Sequence, residues 1–330
     1  ISGHWEKYKE NIFLSEYEKR TFAVKPMNCP GAMLVYKNMQ RSYKDLPLLL
    51  AELGVVHRQE LSGVLAGLFR LIQFTQDDAH IFCMKNQLEN EITRIMEMID
   101  NFYKIFNFSY HVELSMRPPK RIGDEKLWDK AEETLEKILK NKKMKFKINK
   151  SDGAFYGPKI DFHIKDSLER TWQLATIQLD FAMPERFDLV YVDKDNHEQR
   201  PIIIHRVIYG SLERFIGILL EHTNGHLPLW LAPVQVRVIN FTDRNNKSCE
   251  KLLEELKKHF VRVSIDLSSE PLQGKIKQAE VEKIPYIVVI GDKEEQSGNL
   301  AVRYRGKISQ LKKDEFIEKI LKEIEEKKVG

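Results

Sequence analysis

The hydrophobic pattern changes its grammar near residue 230. Beyond that point strand-like and helix-like stretches alternate. Val234–Phe241 is apolar and β-branched, and Lys247–His259 sets Leu252, Leu253 and Leu256 at helical spacing. Val261–Leu267 alternates with period two, and Gly274–Lys283 reads as a helix. Tyr286–Gly291 is a continuous apolar run, the pattern of a strand covered on both faces. A Glu-Gln-Ser-Gly turn leads to a strand over Asn299–Arg305, and Leu311–Lys328 is an amphipathic terminal helix. The spacing predicts an α/β unit of about 100 residues around a mostly parallel sheet, with its boundary near Trp230–Pro233. The domains expected are therefore 1–231 and 232–330.

The first part is less regular. Gln87–Phe106 predicts a long helix with Ile92, Ile95, Met96, Ile99 and Phe102 on one stripe, and Glu125–Lys140 a second with Leu127, Ala131, Leu135 and Ile138. Short strands are expected at Val55–Glu60, Phe69–Gln76, His80–Cys83, Lys159–Ile164, Arg170–Phe181 and Leu189–Val192. Strands with helices segregated between them imply an antiparallel α+β domain. There is no internal repeat, and the Lys/Glu-rich tail reads as a solvated helix face.

Composition narrows the class. Of 330 residues, 42% are hydrophobic and 31% charged, which suits a globular chain. The longest apolar run is a strand's length, so no membrane-spanning helix is expected. Neither is a secretory signal. The opening Ile1-Ser2-Gly3-His4-Trp5 reads as part of a longer chain. Cys29, Cys83 and Cys249 are odd in number and widely spaced, which speaks against a disulfide framework and for a reducing compartment. Net charge is +4; residues 231–330 hold 20 basic against 17 acidic side chains, and residues 1–230 hold 33 against 32. That balance permits nucleic-acid binding without showing it.

The densest chemistry lies between His57 and His80. Two strands joined by the turn Leu61–Leu68 would bring Arg58, Glu60, Arg70 and Phe74 together. Two arginines can grip phosphates or a carboxylate, and a phenyl ring can stack on a base. Surface ion pairs around one core aromatic would give the same pattern.

These residues resemble a known family. Arg58-Gln59-Glu60 with Arg70 and Phe74 resembles motif 2 of the class II aminoacyl-tRNA synthetases, and Gly210-Ser211-Leu212-Glu213-Arg214-Phe215 resembles their motif 3. Lys25-Pro26-Met27-Asn28-Cys29-Pro30-Gly31, Gln76-Asp77-Asp78-Ala79-His80-Ile81-Phe82, Gly153-Ala154-Phe155-Tyr156-Gly157-Pro158-Lys159 and Ile204-His205-Arg206 are similar to the threonyl-tRNA synthetase group. So are Ile284-Pro285-Tyr286 and Gly291-Asp292-Lys293-Glu294. The resemblance spans essentially the whole chain. It implies an antiparallel catalytic domain followed by an anticodon-binding domain, in a cytoplasmic homodimeric ligase that takes ATP, L-threonine and threonine tRNA.

The resemblance also implies site residues. Cys29, His80 and His205 would hold one Zn²⁺, a donor set that leaves a coordination position open. Arg58, Arg70 and Arg214 would be catalytic, with Mg²⁺ accompanying ATP; Glu60, Phe74 and Gln173 would complete the ATP site. Gln76, Asp78, Tyr156, Lys159 and Gln178 would bind threonine. His4, Lys277, Glu294 and Arg303 would touch tRNA. Each has a plainer reading, as a core histidine, a buried cysteine, a satisfied tyrosine or a solvated charge. Relative to the family, motif 1 and the N-terminal editing domain are missing from this sequence. Ala32, Ala66, Ile72 and Leu174 replace more polar cleft residues, which predicts a drier cleft. A second reading is an RNA-binding or regulatory relative without catalysis, or an engineered variant; the retained arginines favour the enzyme.

Overall fold

In the first of the chain's two units, strands that alternate apolar and polar side chains put helices on one side of a sheet and a cleft on the other. The computed structural model describes residues 1–328, and the chain divides into Ile1–Ile218 and Leu219–Gly330. The first unit opens with α1 (His4–Lys7), the hairpin β1 (Leu14–Tyr17) and β2 (Arg20–Ala23), α2 (Cys29–Lys37), β3 (Leu48–His57) and β4 (Gln73–Cys83). Next come α3 (Leu88–Ile105), β5 (Tyr110–Ser115), α4 (Glu125–Asn141), β6 (Phe146–Asn149), β7 (Lys159–Lys165) and β8 (Thr171–Asp180). Short α5 (Ala182–Arg186), β9 (Tyr191–Val192) and β10 (Glu198–Gln199) lead to β11 (Ile202–Val207) and α6 (Leu212–His222). The chain passes from one unit to the other within α6. The expected boundary at 231/232 falls in the segment after α6.

Seven strands form one sheet in the order β3-β4-β11-β8-β7-β5-β6. Every neighbouring pair is antiparallel except β5–β6, as the α+β expectation required. One face is apolar: Ile81, Ile160, Phe162, Ile177, Leu179 and Ile204 are buried, and α3 and α4 pack against β8 and β11. The predicted stripe of α3 is buried at Ile92, Ile95, Met96 and Ile99, but Tyr103 completes it instead of Phe102. The Tyr103 hydroxyl donates to Ile208 O at 3.0 Å and accepts from Ala175 N at 2.9 Å, tying helix to sheet. Asp124 caps α4 by accepting from Leu127 N at 2.8 Å.

The second unit holds β12 (Val236–Asn240), α7 (Asn246–Lys258), β13 (Val263–Asp266), α8 (Leu272–Val281), β14 (Tyr286–Ile290), α9 (Asp292–Ser297), β15 (Asn299–Tyr304), β16 (Lys307–Lys312) and α10 (Lys313–Glu325). Its five strands run in the order β13-β12-β14-β15-β16. β14 is buried at every residue, as its continuous apolar run predicts. No helix among the described residues is long and apolar enough to cross a membrane.

Several expectations need correction. The second sheet is parallel only over β13-β12-β14; β15 and β16 are antiparallel. The terminal helix begins at Lys313, not Leu311: Leu311 and Lys312 end β16, an edge strand over Lys307–Lys312 whose exposed lysines resemble a helix's polar face. The Glu-Gln-Ser-Gly turn is the end of α9, closed by Gly298 at φ +71°. Phe69–Gln76 and His80–Cys83 are not two strands: β4 runs unbroken from Gln73 to Cys83. Its polar interruption, Gln76-Asp77-Asp78, is strand because these side chains meet a cleft and a turn instead of solvent. Residues 69–72 lie outside the strand. β3 begins at Leu48 and ends at His57, leaving Arg58–Glu60 beyond it, and the strand expected at Leu189–Val192 is only β9.

Candidate active site

The strand register sets the site. His80 lies opposite His205, His205 opposite Gln178, and Gln178 opposite Lys159, so four adjacent strands contribute one row. Period two then puts Asp78, Thr176 and Asp161 on the same face. From this face Asp78, Lys159, Thr176, Gln178 and His205 line a cavity of 460 Å³ that also receives Cys29, Arg58, Glu60, Arg70, Phe74, Gln76, Tyr156, Gln173 and Arg214, while Asp161 is fully buried outside the lining. His80, 1% exposed, sits behind the lining.

At one end, Cys29 opens α2 with Pro30 beside it at the first turn. The ligand atoms of Cys29, His80 and His205 lie within 4.8 Å of one another, all three residues buried. His80 Nε2 and His205 Nδ1 are buried without a hydrogen-bond partner, a costly state unless something binds there. His205 Nε2 faces Asp180 Oδ2 at 2.9 Å; Asp180 is fully buried and its other oxygen accepts from Ala182 N and Met183 N. Burial alone would push the Cys29 thiol up, but the two imidazoles hold it below its usual range. Burial alone would lower His205; Cys29 and Asp180 raise it instead. A thiolate, two imidazoles with free nitrogens and a carboxylate fixing one ring suit a zinc ion.

Beside this cluster, Asp78 is 7% exposed and accepts from Asn28 Nδ2 at 3.0 Å. Lys25 Nζ donates to Asn28 Oδ1 at 2.7 Å. Gly54 makes room for this amide: a Cβ there would come within 2.1 Å of Asn28 Nδ2. The Tyr156 hydroxyl donates to Gln178 Oε1 at 2.5 Å, and burial pushes its pKa well up. Lys159 Nζ meets Asp152 at 3.0 Å and Asp161 at 2.9 Å. Gln173 Nε2 donates to Asp161 at 2.6 Å and Thr176 Oγ1 at 2.8 Å.

The other end is cationic. The Arg58 guanidinium lies over the Phe74 ring at 5.1 Å, and its Nε donates to Pro26 O at 3.2 Å. Arg70 pairs with Glu60 at 2.9 Å. Arg214 Nε donates to Phe69 O at 2.7 Å, and Arg214 lies over Trp172 at 5.4 Å. Burial lowers the Arg214 pKa first, and the charges of Arg70 and Arg58 lower it further. Three guanidinium groups facing one cavity make a ready site for a polyanion.

Not every expected residue joins the cavity. His4 is buried, but outside the lining: its Nε2 faces Met27 Sδ at 3.1 Å, and burial is the main cause lowering its pKa to about 4. Of the four apolar replacements only Leu174 lines the cavity. Ala32 belongs to the apolar cluster around Cys29, while Ala66 and Ile72 are exposed, so the expected drier cleft is not formed by these positions. In the second unit, Glu294 caps α9 by accepting from Gly291 N at 3.0 Å and lines a groove of 760 Å³. Arg303 on β15 and exposed Lys277 on α8 are outside that lining. Asn28, Asp161 and Asp180 escaped the sequence reading. For Asp161 and Asp180 the available signal was a carboxylate inside an apolar strand, a residue type rarely buried without a partner.

Residues 12–223 match the family described as the tRNA synthetase class II core domain (G, H, P, S and T). The chain belongs to the class II tRNA synthetases. Residues 235–323 of this class II synthetase chain match the anticodon binding domain family. It is 54% identical over 325 residues to a threonine–tRNA ligase of Caldanaerobacter subterraneus subsp. tengcongensis, covering 98% of this chain and 50% of that protein. A threonine–tRNA ligase of Syntrophomonas wolfei subsp. wolfei is 52% identical over 328 residues, covering 99% of this chain and 52% of that protein. The chain thus spans about half the length of the curated relatives it matches. The solved RNA binding domain of threonyl-tRNA synthetase from Cryptosporidium parvum Iowa II is similar with a TM-score of 0.92 at 39% identity, over 97% of this chain and 81% of that one.

The turn that carries Tyr156 gives a test of this synthetase site. A Cβ on Gly157 would stand 1.8 Å from Leu179 O, backbone that cannot yield cheaply. Gly157→Ala should therefore destabilise the first unit by at least about 1–3 kcal/mol, read as a lowered melting temperature. An unchanged melting temperature would contradict this packing of the turn on β8.

Proposed function

We propose that this chain carries the catalytic and RNA-reading parts of a threonine–tRNA ligase. The observation that carries the reading is the pairing, in one cavity, of three convergent guanidinium groups with the buried Cys29, His80 and His205. The first asks for a polyphosphate and the second for a metal. Both lie on a chain that is 54% and 51% identical to two threonine–tRNA ligases it matches along 98–99% of its length.

Cys29, His80 and His205 would hold zinc, with Asp180 fixing the His205 ring. Bound there, zinc supplies a Lewis acid whose open position suits an amino group and a hydroxyl. The residues around it do the rest. Asp78, oriented by Asn28, would accept from the threonine ammonium or hydroxyl, and Tyr156, Gln178 and Gln76 would close the pocket around them. Lys159 would help to hold the amino acid on the same wall.

The threonine carboxylate oxygen would attack the ATP α-phosphorus, breaking the bond to pyrophosphate and leaving threonyl-adenylate. Arg58 would neutralise charge growing between carboxylate and α-phosphate. Arg70 and Arg214 would hold the β- and γ-phosphates, which arrive with Mg²⁺. Glu60, Gln173 and Phe74 would fix the nucleoside. No covalent intermediate with the protein is needed, so acceleration comes from positioning and charge. A ribose hydroxyl at the 3′ end of tRNA would then attack the acyl carbonyl and release AMP. His4 would lie near that end, and Lys277, Glu294 and Arg303 would read the anticodon side.

Threonine-dependent ATP–pyrophosphate exchange tests the first step. Threonine should support exchange, and serine should retain part of it, since a missing methyl is worth roughly 1–3 kcal/mol. Valine should be rejected by about 10⁴-fold, because a site built to satisfy a hydroxyl is left with unpaired polar groups. Valine exchanging as well as serine would overturn the assignment. Metal analysis should give one zinc per chain, lost in Cys29→Ala; stoichiometric zinc in that variant would refute the ligand set. Arg303→Ala should weaken tRNA charging severalfold while leaving exchange unchanged, and equal losses in both assays would refute its place in RNA reading.

A further inference from the structure

Between β11 and α6 the chain makes a sharp turn, and the residue that forms it is not in the cavity. Asp77 sits on β4 between Gln76 and Asp78, with its side chain 12% exposed. Its Oδ2 accepts from Ile208 N at 2.8 Å, and its Oδ1 accepts from Tyr209 N and Gly210 N, both at 3.1 Å. Arg206 Nη1 donates to the Asp77 carbonyl at 2.9 Å. One carboxylate thus gathers three successive amides. Gly210 follows at φ +73°, packed so closely that a Cβ would stand 2.7 Å from Leu174 O. From the other side, the Tyr103 hydroxyl holds Ile208 O.

The turn delivers the start of α6 to the cavity. Ser211 Oγ accepts from Arg214 N at 3.2 Å, and Glu213 accepts from Thr75 N with both carboxylate oxygens, at 2.9 and 3.0 Å. Arg214 lies four residues after Gly210, so its guanidinium direction follows from the path of this turn. The apolar anchoring is separate: the Tyr209 ring packs on Phe215 at 4.5 Å and on Phe102 at 5.4 Å. The fold therefore has its own attachment here, while the carboxylate fixes the local path of the backbone. Burial pushes the Asp77 carboxyl up to about 6 despite the amides, which leaves it ionised at neutral pH.

We propose that Asp77 is a positioning residue for ATP: through the Ile208–Gly210 turn it aims Arg214 at the phosphates. This rests on the reading of Arg214 as a phosphate ligand. Asp77→Asn keeps the shape but sets an amide NH₂ against backbone N–H donors. In pyrophosphate exchange it should raise the KM for ATP about tenfold, with the KM for threonine and the zinc content unchanged. A purely structural role would lower the active fraction and leave both KM values alone. Tyr103→Phe removes only the hydroxyl on the opposite side of the turn and should raise the ATP KM in the same direction by a smaller factor; it decides the matter if Asp77→Asn does not fold. Wild-type ATP KM in the folded variants would overturn the proposal, as would equal increases in both KM values. Absence of exchange in the wild-type protein would instead sink the functional reading itself.

Discussion

The site depends on one constraint, the antiparallel register of β4, β11, β8 and β7. Because side chains alternate, His80, His205, Gln178 and Lys159 share a face only in this pairing. A slip of one residue in β11 would turn His205 into the helix layer and Ile204 into the cavity. The apolar face guards against that slip. Ile81, Ile177, Leu179 and Ile204 are almost wholly buried, and exposing one such side chain costs about 1.5–3 kcal/mol. The geometry of the polar row is thus enforced by the hydrophobic row behind it.

Electrostatics then divides the cavity. At the cationic end Arg58, Arg70 and Arg214 repel one another, and Arg70 is ion-paired with Glu60. Arginine does not escape such a place by losing its proton, so binding a polyanion relieves the repulsion. At the other end, two buried imidazole nitrogens have no partner and a buried thiol is drawn toward thiolate. Both ends are unsatisfied as they stand. Unsatisfied groups persist at sites because the surrounding fold overdetermines them.

Much of this was legible in the sequence, unevenly. The long helices α3 and α4 carry strong periodicity and the buried strand β14 a continuous apolar run, so they read correctly. The candidate residues lie in local motifs, and Cys29, Asp78, Tyr156, Lys159 and Arg214 all line one cavity. What failed follows from two physical facts. Strands facing a cleft are polar on that face, so β4 looked broken at Gln76-Asp77-Asp78. An edge strand such as β16 is kept charged, so its last residues, Leu311 and Lys312, fit the pattern of the helix that follows. The partners of the supporting groups Asn28, Asp161 and Asp180 were hidden for a third reason, even where a carboxylate inside an apolar strand marked the residue itself. Their importance lies in pairings across 50, 46 and 25 residues of chain, which no local pattern encodes.

The placement of groups on rigid or pliant backbone gives the arrangement a further logic. Groups proposed to choose the amino acid stand on strands or packed turns: His80 and Asp78 on β4, Gln178 on β8, His205 on β11, Tyr156 under Gly157. Groups proposed to meet phosphates stand at element ends or in the loop: Arg58 just past β3, Arg70 exposed in the segment before β4, Arg214 after the Asp77-held turn. Discriminating a hydroxyl from a methyl needs donors fixed within a few tenths of an ångström, which only packed backbone provides. A triphosphate needs several cations that can follow it as charge moves toward pyrophosphate, and loops allow that movement. Arg214 is the intermediate case. As a proposed phosphate ligand it would follow the phosphates, yet it sits within a turn of the strand that carries Asp78 and His80. A carboxylate on the same strand as Asp78 and His80 therefore ties its backbone to the part of the site that does not move.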